Sequence, residues 1–210
     1  MQIEIWSDIM CPFCYIGKRR FERALAQFHG RDGVEVTWRS FQLDPGLKTD
    51  PSINAATSLA EKKGWTAAQA AQAQQQVAQM AAVEGLHYDF GRLVVANSFD
   101  AHRFTHLAKQ HGKQSEAEEG LFAAHFTEGK NIDDPQVLEA IGAAIGLDPV
   151  AVRATLASDT FAEAVAEDIE LARQFGINGV PFFVFDRKYA VSGAQEPSVF
   201  LRTLEKAAEG

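Results

Sequence analysis

The chain contains very little cysteine, with two residues among 210. Folds that depend on disulfides for stability need more, and in a reducing compartment Cys11 and Cys14 are not expected to form a structural disulfide. The chain also lacks any apolar run near the ~20 residues of a membrane span, and its start lacks the basic and apolar regions of a secretory signal. We therefore expect a cytoplasmic protein with no membrane interaction. In a reducing compartment, a close cysteine pair indicates redox catalysis or metal binding.

Positive charge is also scarce. The sequence has 20 Lys and Arg against 28 Asp and Glu, a formal net charge of −8. Binding to nucleic acid requires a basic surface that neutralises backbone phosphates, so we expect no nucleic-acid partner. The length permits a proper core and fits one domain, or one domain with a large insertion.

The cysteine pair lies where a strand pattern changes into a helix pattern. A short apolar run leads towards Cys11, and from Pro12 onwards apolar residues recur at helical spacing. Cys11 thus lies at the helix start, where unpaired N–H groups and the helix dipole favour an anion, and Pro12 suits the first helical position. Cys14 shares a helix face with Phe21 and should be buried. An exposed sulfur that favours the thiolate, beside a shielded sulfur, is typical of a redox pair.

The first fifty residues have the pattern of a βαβ unit. Residues 2–7 and 34–39 are predicted strands, and residues 12–29 are a predicted helix between them. The crossover between two such parallel strands should be right-handed. Phe41 and Leu43 are expected to continue the second strand after a bulge.

The middle of the chain is predicted to be helical almost throughout, over residues 52–175. Two helix starts are marked by an aspartate followed by proline, Asp134 with Pro135 and Asp148 with Pro149. Aspartate is a good N-cap residue and proline is well suited to the first helical position.

Strand patterning returns near the C-terminal end. Residues 181–185 and 188–192 are predicted to form an antiparallel hairpin that turns at Asp186 and Arg187. Residues 197–208 form a predicted last helix.

The order βαβ, helical block, ββα predicts an α/β protein. We expect residues 1–50 and 176–210 to form one domain with a compact mixed sheet, and residues 51–175 to form a helical insertion domain. The dithiol then lies at the first βα turn of the sheet domain.

The sequence resembles the thioredoxin-fold DsbA family over its whole length. The resemblance rests on the strand–CxxC–helix start, the large all-helical insertion and a late Gly-Val-Pro before the ββα end. Three stretches resemble the cytosolic FrnE-type branch, described as dithiol–disulfide isomerases: residues 8–17, 98–103 and 179–184.

This resemblance implies roles for particular residues. Cys11 corresponds to the nucleophile and Cys14 to the resolving thiol. Pro181 corresponds to a cis-proline that faces the disulfide, with the backbone of Val180 turned outward to pair with an extended substrate. His102, within the second matching stretch, is a candidate to support the site, and the alternative interpretation is a satisfied structural residue of a helix.

Three further residues next to the cysteines are candidates for the site. Pro12 and Phe13 place a ring beside Cys11 but no charge, so the helix terminus must supply most of the stabilisation of its thiolate. Asp8 has two equally reasonable roles: it could relay a proton to Cys14 when that thiol ionises, or it could cap the helix.

A metal site is the main alternative interpretation of the cysteine pair. Zinc normally takes four ligands, and no other cysteine can complete the set. His102 and His106 share a helix face, but the glutamate of a His-Glu-x-x-His motif is missing. We therefore expect no metal and no tightly bound cofactor.

The expected reaction is thiol–disulfide exchange with a disulfide- or thiol-containing peptide, protein or small molecule. The expected partner is a cellular thiol reductant, either glutathione as a redox co-substrate or the thioredoxin system. The alternative function is a glutathione-dependent isomerase or transferase, because hydroxychromene carboxylate isomerases and kappa-class glutathione transferases share this layout. Those enzymes resemble the chain with serine where Cys11 stands.

Overall fold

A computed structural model describes residues 1–209, and their contacts divide the chain into two units. The sheet unit comprises residues 1–43 and 164–209, and the helical unit comprises residues 44–163. The domain boundaries predicted from the sequence remain a prediction. The structure differs from them chiefly in the helix Ala162–Gln174, which groups with the sheet unit from Ala164 onwards.

The elements alternate as the sequence patterns indicate. The strands are β1 (Gln2–Ser7), β2 (Glu35–Ser40), β3 (Asp50–Asn54), β4 (Val94–Val95), β5 (Phe182–Phe185) and β6 (Tyr189–Ser192). The helices are α1 (Pro12–Gln27), α2 (Ala55–Lys63), α3 (Ala67–Val83), α4 (Phe99–Gln110), α5 (Gln114–Phe122), α6 (Pro135–Ala144), α7 (Pro149–Leu156), α8 (Ala162–Gln174) and α9 (Pro197–Ala208). A 3₁₀ turn covers Arg31–Gly33, and a π-helical segment, Ala123–Thr127, follows α5.

The sheet unit contains a four-stranded mixed sheet in the order β2-β1-β5-β6. β1 pairs in parallel with β2 and antiparallel with β5, and β5 and β6 form the predicted hairpin. The thioredoxin-like βαβ and ββα halves expected from the sequence are therefore confirmed. β2 ends at Ser40, so the prediction that Phe41 and Leu43 continue the strand is wrong.

The two faces of β1 carry different cores. Ile3 and Ile5 belong to a cluster that includes Phe21 of α1 and Phe200 of α9. Trp6 points to the opposite face and packs in a second cluster with Ala172 of α8. Alternate residues of a strand point to opposite faces. The helix that carries the dithiol, α1, therefore covers the face of β1 that bears Ile3 and Ile5.

The helical unit shows how local sequence fixes helix starts. Asp134 caps α6 and Asp148 caps α7, and each carboxylate accepts a hydrogen bond from the amide two residues further along the chain. A proline follows each aspartate, as predicted. Thr66 and Gln69 form a capping box at the start of α3. The unit also contains the short antiparallel pair of β3 and β4, which the sequence patterns did not indicate.

Candidate active site

Cys11 is the residue at which the chain turns from sheet to helix. It is the N-cap of α1, with extended backbone angles, and Pro12 occupies the first helical turn. The Cys11 amide donates to the carbonyl of Asp8 at 2.9 Å, which closes the turn after β1. The Cys14 amide donates to the carbonyl of Cys11 at 3.0 Å. This backbone arrangement places the two cysteines three residues apart at the start of α1.

Both cysteines are free thiols, and both are buried. The relative exposure is 4 % for Cys11 and 1 % for Cys14. The prediction of a shielded Cys14 is confirmed, whereas the prediction of an exposed Cys11 is wrong. The predicted position of Cys11 at the helix start is confirmed. A helix start can itself be covered by other parts of the chain, and the local sequence carries no information about such coverage.

A distant segment of the sheet unit meets the Cys11 thiol. Cys11 Sγ lies 3.5 Å from the carbonyl oxygen of Val180, to which the thiol donates. The peptide bond between Val180 and Pro181 is cis. The carbonyl of Pro181 accepts a hydrogen bond of 2.8 Å from Gly193, which ties this segment to the end of the β5–β6 hairpin. The nucleophile candidate and the proline candidate are therefore brought together.

The approach between α1 and this segment depends on Gly17. A Cβ atom built on Gly17 would lie 2.9 Å from Cγ of Pro181 and 3.4 Å from Cζ of Phe183. Real Cβ atoms essentially never lie within 3.0 Å of a heavy atom from a distant residue. The absence of a side chain at Gly17 thus permits the packing that places Val180 beside Cys11.

Cys14 is in an environment that favours the neutral thiol. Burial raises the pKa of Cys14 well above its ordinary value, and the adjacent Cys11 raises it further. The backbone amide of Asp8 and the hydroxyl of Ser7 act in the opposite direction, because hydrogen bonds from them stabilise the thiolate.

The Asp8 carboxylate is fully buried, and it holds the turn rather than the helix. Its two oxygens accept hydrogen bonds from the amides of Met10, at 3.2 Å, and Leu43, at 2.7 Å. The helix-capping alternative for Asp8 is therefore wrong, since Cys11 is the N-cap and α1 has no side-chain cap. The proton-relay alternative remains a prediction.

The other candidates lie in different surroundings. Phe13 is 39 % exposed, although it is apolar and adjacent to Cys11. His102 is buried on α4 and belongs to the helical unit, not to the unit that holds the dithiol. Its proposed support of the site remains a prediction.

Two residues that contribute to the geometry, Ser7 and Gly17, were not among the sequence candidates. Alternation along β1 places Ser7 on the same face as Ile3 and Ile5, and that signal was available in the sequence. The role of Gly17 depends on a contact with residues more than 160 positions away, which no local pattern reports.

No group of three or more His, Cys, Asp or Glu side chains within residues 1–209 is arranged to hold a metal ion. Over the same residues, no helix combines the length and apolar character needed to cross a membrane.

Solved structures share this fold over the whole chain. The probable DsbA oxidoreductase SCO1869 from Streptomyces coelicolor is 42 % identical, with a TM-score of 0.93 over 100 % of this chain and 90 % of that one. The cytosolic disulfide reductase DsbM from Pseudomonas aeruginosa, solved also with GSH, is 18 % identical, with a TM-score of 0.71 over 100 % and 99 % of the two chains. A 2-hydroxychromene-2-carboxylate isomerase is 17 % identical, with a TM-score of 0.69 over 100 % and 95 %. At these lower identities the likeness concerns the fold alone.

The model of one protein family, the DSBA-like thioredoxin domain, matches residues 2–205. This range includes the cysteine turn, the helical unit and the Val180–Pro181 segment. Because the match extends over nearly the whole chain, and a relative of 42 % identity shares its fold throughout, the chain belongs to the family of DSBA-like thioredoxin domains.

Proposed function

We propose that the protein is a thiol–disulfide oxidoreductase in which Cys11 is the nucleophile and Cys14 the resolving thiol. Membership in the DSBA-like family supports this kind of function. The observation that carries the proposal is the position of Cys11 at the N-cap of α1, with Sγ against the Val180 carbonyl and Cys14 buried one turn further on. This combines a nucleophile at a helix start with a second, still less exposed sulfur further along the same helix.

The reaction has two steps, and its electrons balance without a bound cofactor. Cys11 thiolate attacks a substrate disulfide, a bond forms between Cys11 and one substrate sulfur, and the other substrate sulfur leaves as a thiolate that takes up a proton. Cys14 then loses its proton, for which Asp8 is the proposed acceptor, and attacks Cys11. The second substrate sulfur leaves, so the substrate gains two electrons and the protein ends with a Cys11–Cys14 disulfide.

The Val180 carbonyl gives this cycle a substrate-binding group. In the dithiol state it accepts from the Cys11 thiol. Once Cys11 is part of a mixed disulfide it has no S–H, and the carbonyl can accept an amide N–H of an extended substrate by strand addition. Pro181 has no amide donor to compete for the sulfurs, and the exposed ring of Phe13 offers an apolar contact beside them.

The proposed partner that returns the protein to the dithiol state is a cellular thiol reductant, glutathione or the thioredoxin system. The fold it shares with a cytosolic reductase solved with GSH favours glutathione as a co-substrate and the cytoplasm as the compartment. Chemical trapping of the protein's thiols in separated cell fractions would test the compartment. A pool of the protein outside the cytoplasm would contradict this part of the proposal.

The central experiment follows disulfide exchange in the wild type, Cys11→Ser and Cys14→Ala. The wild type should reduce a protein disulfide in the presence of glutathione, and Cys11→Ser should have no activity. Cys14→Ala should accumulate a mixed disulfide at Cys11, because the resolving attack is lost. Ser192→Ala, at an exposed serine of β6, is a matched control that should behave as the wild type does.

The same variants separate this function from that of a glutathione-dependent isomerase or transferase. A serine at position 11 cannot form a disulfide, but it could orient a bound glutathione thiolate. Glutathione-dependent turnover that persists in Cys11→Ser, together with no disulfide activity in the wild type, would overturn the proposal in favour of that alternative.

A further inference from the structure

Ser7 is the last residue of β1 and faces the helix that carries the dithiol. Ile3 and Ile5 belong to the core that includes Phe21 and Ala24 of α1. Because side chains two residues apart in a strand share a face, Ser7 continues this row at the carboxyl end of the strand. The buried face of α1 carries Cys14 at the same end.

The hydroxyl of Ser7 is buried without an ordinary partner. Ser7 is 1 % exposed, and its Oγ makes no hydrogen bond of normal geometry within residues 1–209. Its backbone, in contrast, is paired, because its carbonyl accepts from the Phe41 amide at 3.0 Å. Buried hydroxyls are nearly always hydrogen-bonded, so one without a partner calls for an explanation, and a purpose in redox or catalytic chemistry is one such explanation.

The chemistry of Cys14 supplies that purpose. The resolving attack needs a thiolate at a site where burial raises the pKa of Cys14. A neutral thiol is a weak acceptor, so it does not engage the hydroxyl fully, whereas a sulfur that becomes negatively charged is a strong acceptor. The Ser7 hydroxyl and the Asp8 amide both act on this sulfur, and both lower its pKa.

We propose that Ser7 is a positioning residue of the resolving step, whose hydroxyl donates a hydrogen bond to Cys14 Sγ as negative charge develops on that sulfur. This inference rests on the proposed function, since it assigns a group to one of its two steps. Ser7 keeps its own proton throughout. The bond that forms is Cys11–Cys14, the bond that breaks joins Cys11 to the substrate sulfur, and the departing thiolate takes up a proton.

The two steps can be observed separately with the aromatic disulfide 5,5′-dithiobis(2-nitrobenzoic acid). One equivalent added to the reduced protein should release one coloured thiolate when Cys11 attacks and a second when Cys14 resolves the mixed disulfide. In Ser7→Ala we expect the rate of the first release to stay within twofold of the wild-type rate and the rate of the second release to fall at least tenfold. The pH profile of the second release should also move to higher pH.

Three controls show whether the hydroxyl itself is responsible. Ser7→Thr retains the hydroxyl and should restore the second phase at least in part. Ser40→Ala changes the equally buried register partner of Ser7 on β2, whose hydroxyl is not among the groups that act on Cys14, and should leave both phases unchanged. The stability of Ser7→Ala should be retained at a pH where Cys14 is neutral, because the hydroxyl it removes makes no hydrogen bond of normal geometry within residues 1–209.

Each other outcome counts against a specific proposal. An unchanged second phase in Ser7→Ala, an equal slowing in Ser40→Ala, or the loss of the fold in Ser7→Ala would overturn the role of Ser7 alone. A wild type that releases no coloured thiolate, or a Cys14→Ala variant that still releases two, would instead overturn the proposed function.

Discussion

At the scale of single residues, the close approach at Gly17 makes a sharp prediction. Gly17→Ala should force Pro181 or α1 to move, since the new methyl would lie 2.9 Å from the proline ring. Overpacking of this kind costs about 1–3 kcal/mol, which over most of that range exceeds the ~1 kcal/mol that alanine gains over glycine within a helix. We expect a lower free energy of unfolding in denaturant and slower mixed-disulfide formation at Cys11.

Gly33 is the control for this change. A Cβ on Gly33 would meet nothing within 4 Å, and its backbone does not have the positive φ that favours glycine. Gly33→Ala should therefore leave exchange kinetics unchanged. Equal stability and equal exchange rates in Gly17→Ala and Gly33→Ala would show that the packing against Pro181 does not position the site.

The raised pKa of Cys14 predicts how stability depends on pH. The folded state holds the Cys14 proton more tightly than the unfolded state does. Its contribution to stability is therefore complete below the unfolded pKa, about 8.5, and is lost as pH rises from there towards the folded value. Within that window, the free energy of unfolding should fall by up to about 1.4 kcal/mol per pH unit from this group alone.

Cys11→Ala and the double variant Cys11→Ala with Cys14→Ala isolate this term, because they share every other titratable group. Denaturant curves between about pH 8 and pH 10 should show that the free energy of unfolding falls more steeply with pH in the single variant than in the double variant. Parallel pH dependence in the two variants would contradict the raised pKa.

Residue types and spacing in the sequence mark both cysteines and, through family resemblance, Pro181 as candidates for the site, and their roles stay predictions. Residue types and spacing were not enough to place the Cys11 thiol against Val180 or to show that Cys11 is buried. Both features arise when the first turn of the chain meets a segment about 170 residues later. Local periodicity contains no information about such a contact.

At the scale of elements, α8 is held to the sheet by one buried carboxylate. Asp168 Oδ1 accepts from the Arg39 guanidinium at 2.8 Å, and Oδ2 accepts from the Ser40 amide at 2.9 Å. The Asp168 carbonyl also accepts the indole N–H of Trp6 at 2.9 Å. Through a single residue, α8 thus contacts both parallel strands of the sheet.

Asp168→Ala should destabilise the protein strongly, because it leaves the Ser40 amide without its acceptor and removes one carboxylate from Arg39. Breaking a buried pair in this way typically costs about 3–5 kcal/mol, and the remaining pair of Arg39 with Glu4 should place the loss near the lower end. Thermal or denaturant unfolding would measure it. Glu167→Ala, at the exposed neighbouring position on α8, is the matched control, and a loss no greater than in that variant would contradict this role.

Elements with strong local signals were predictable, and elements formed by tertiary contacts were not. β1, β5, β6 and the aspartate-capped helices have clear periodicity or capping residues in the sequence. β3 and β4 do not, since β4 contains two residues and β3 includes a proline. Such short strands exist only because the surrounding chain brings them together.

At the scale of the whole molecule, the net charge of −8 should affect which disulfides react quickly. Glutathione disulfide has a charge of about −2 at neutral pH, so the long-range field of the protein repels it. The exchange rate with it should rise as salt screens this repulsion, by up to about tenfold between ~10 mM and ~0.15 M ionic strength. Stopped-flow kinetics would measure this rise.

The uncharged bis(2-hydroxyethyl) disulfide is the control, and its exchange rate should change little over the same range of salt. A rate with glutathione disulfide that falls as salt is added would mean that local positive potential at the dithiol outweighs the net charge.

The division of the sheet unit into two sequence segments affects how the protein is made on the ribosome. β1 and β2 emerge first, but β5, the second neighbour of β1, follows only after the entire helical unit of residues 44–163 has been synthesised. Domains generally fold as units during synthesis, so the continuous helical unit can complete its fold while one edge of β1 still lacks its partner strand. The nascent chain therefore carries an unpaired, apolar strand edge, with the dithiol at its end, for most of its elongation.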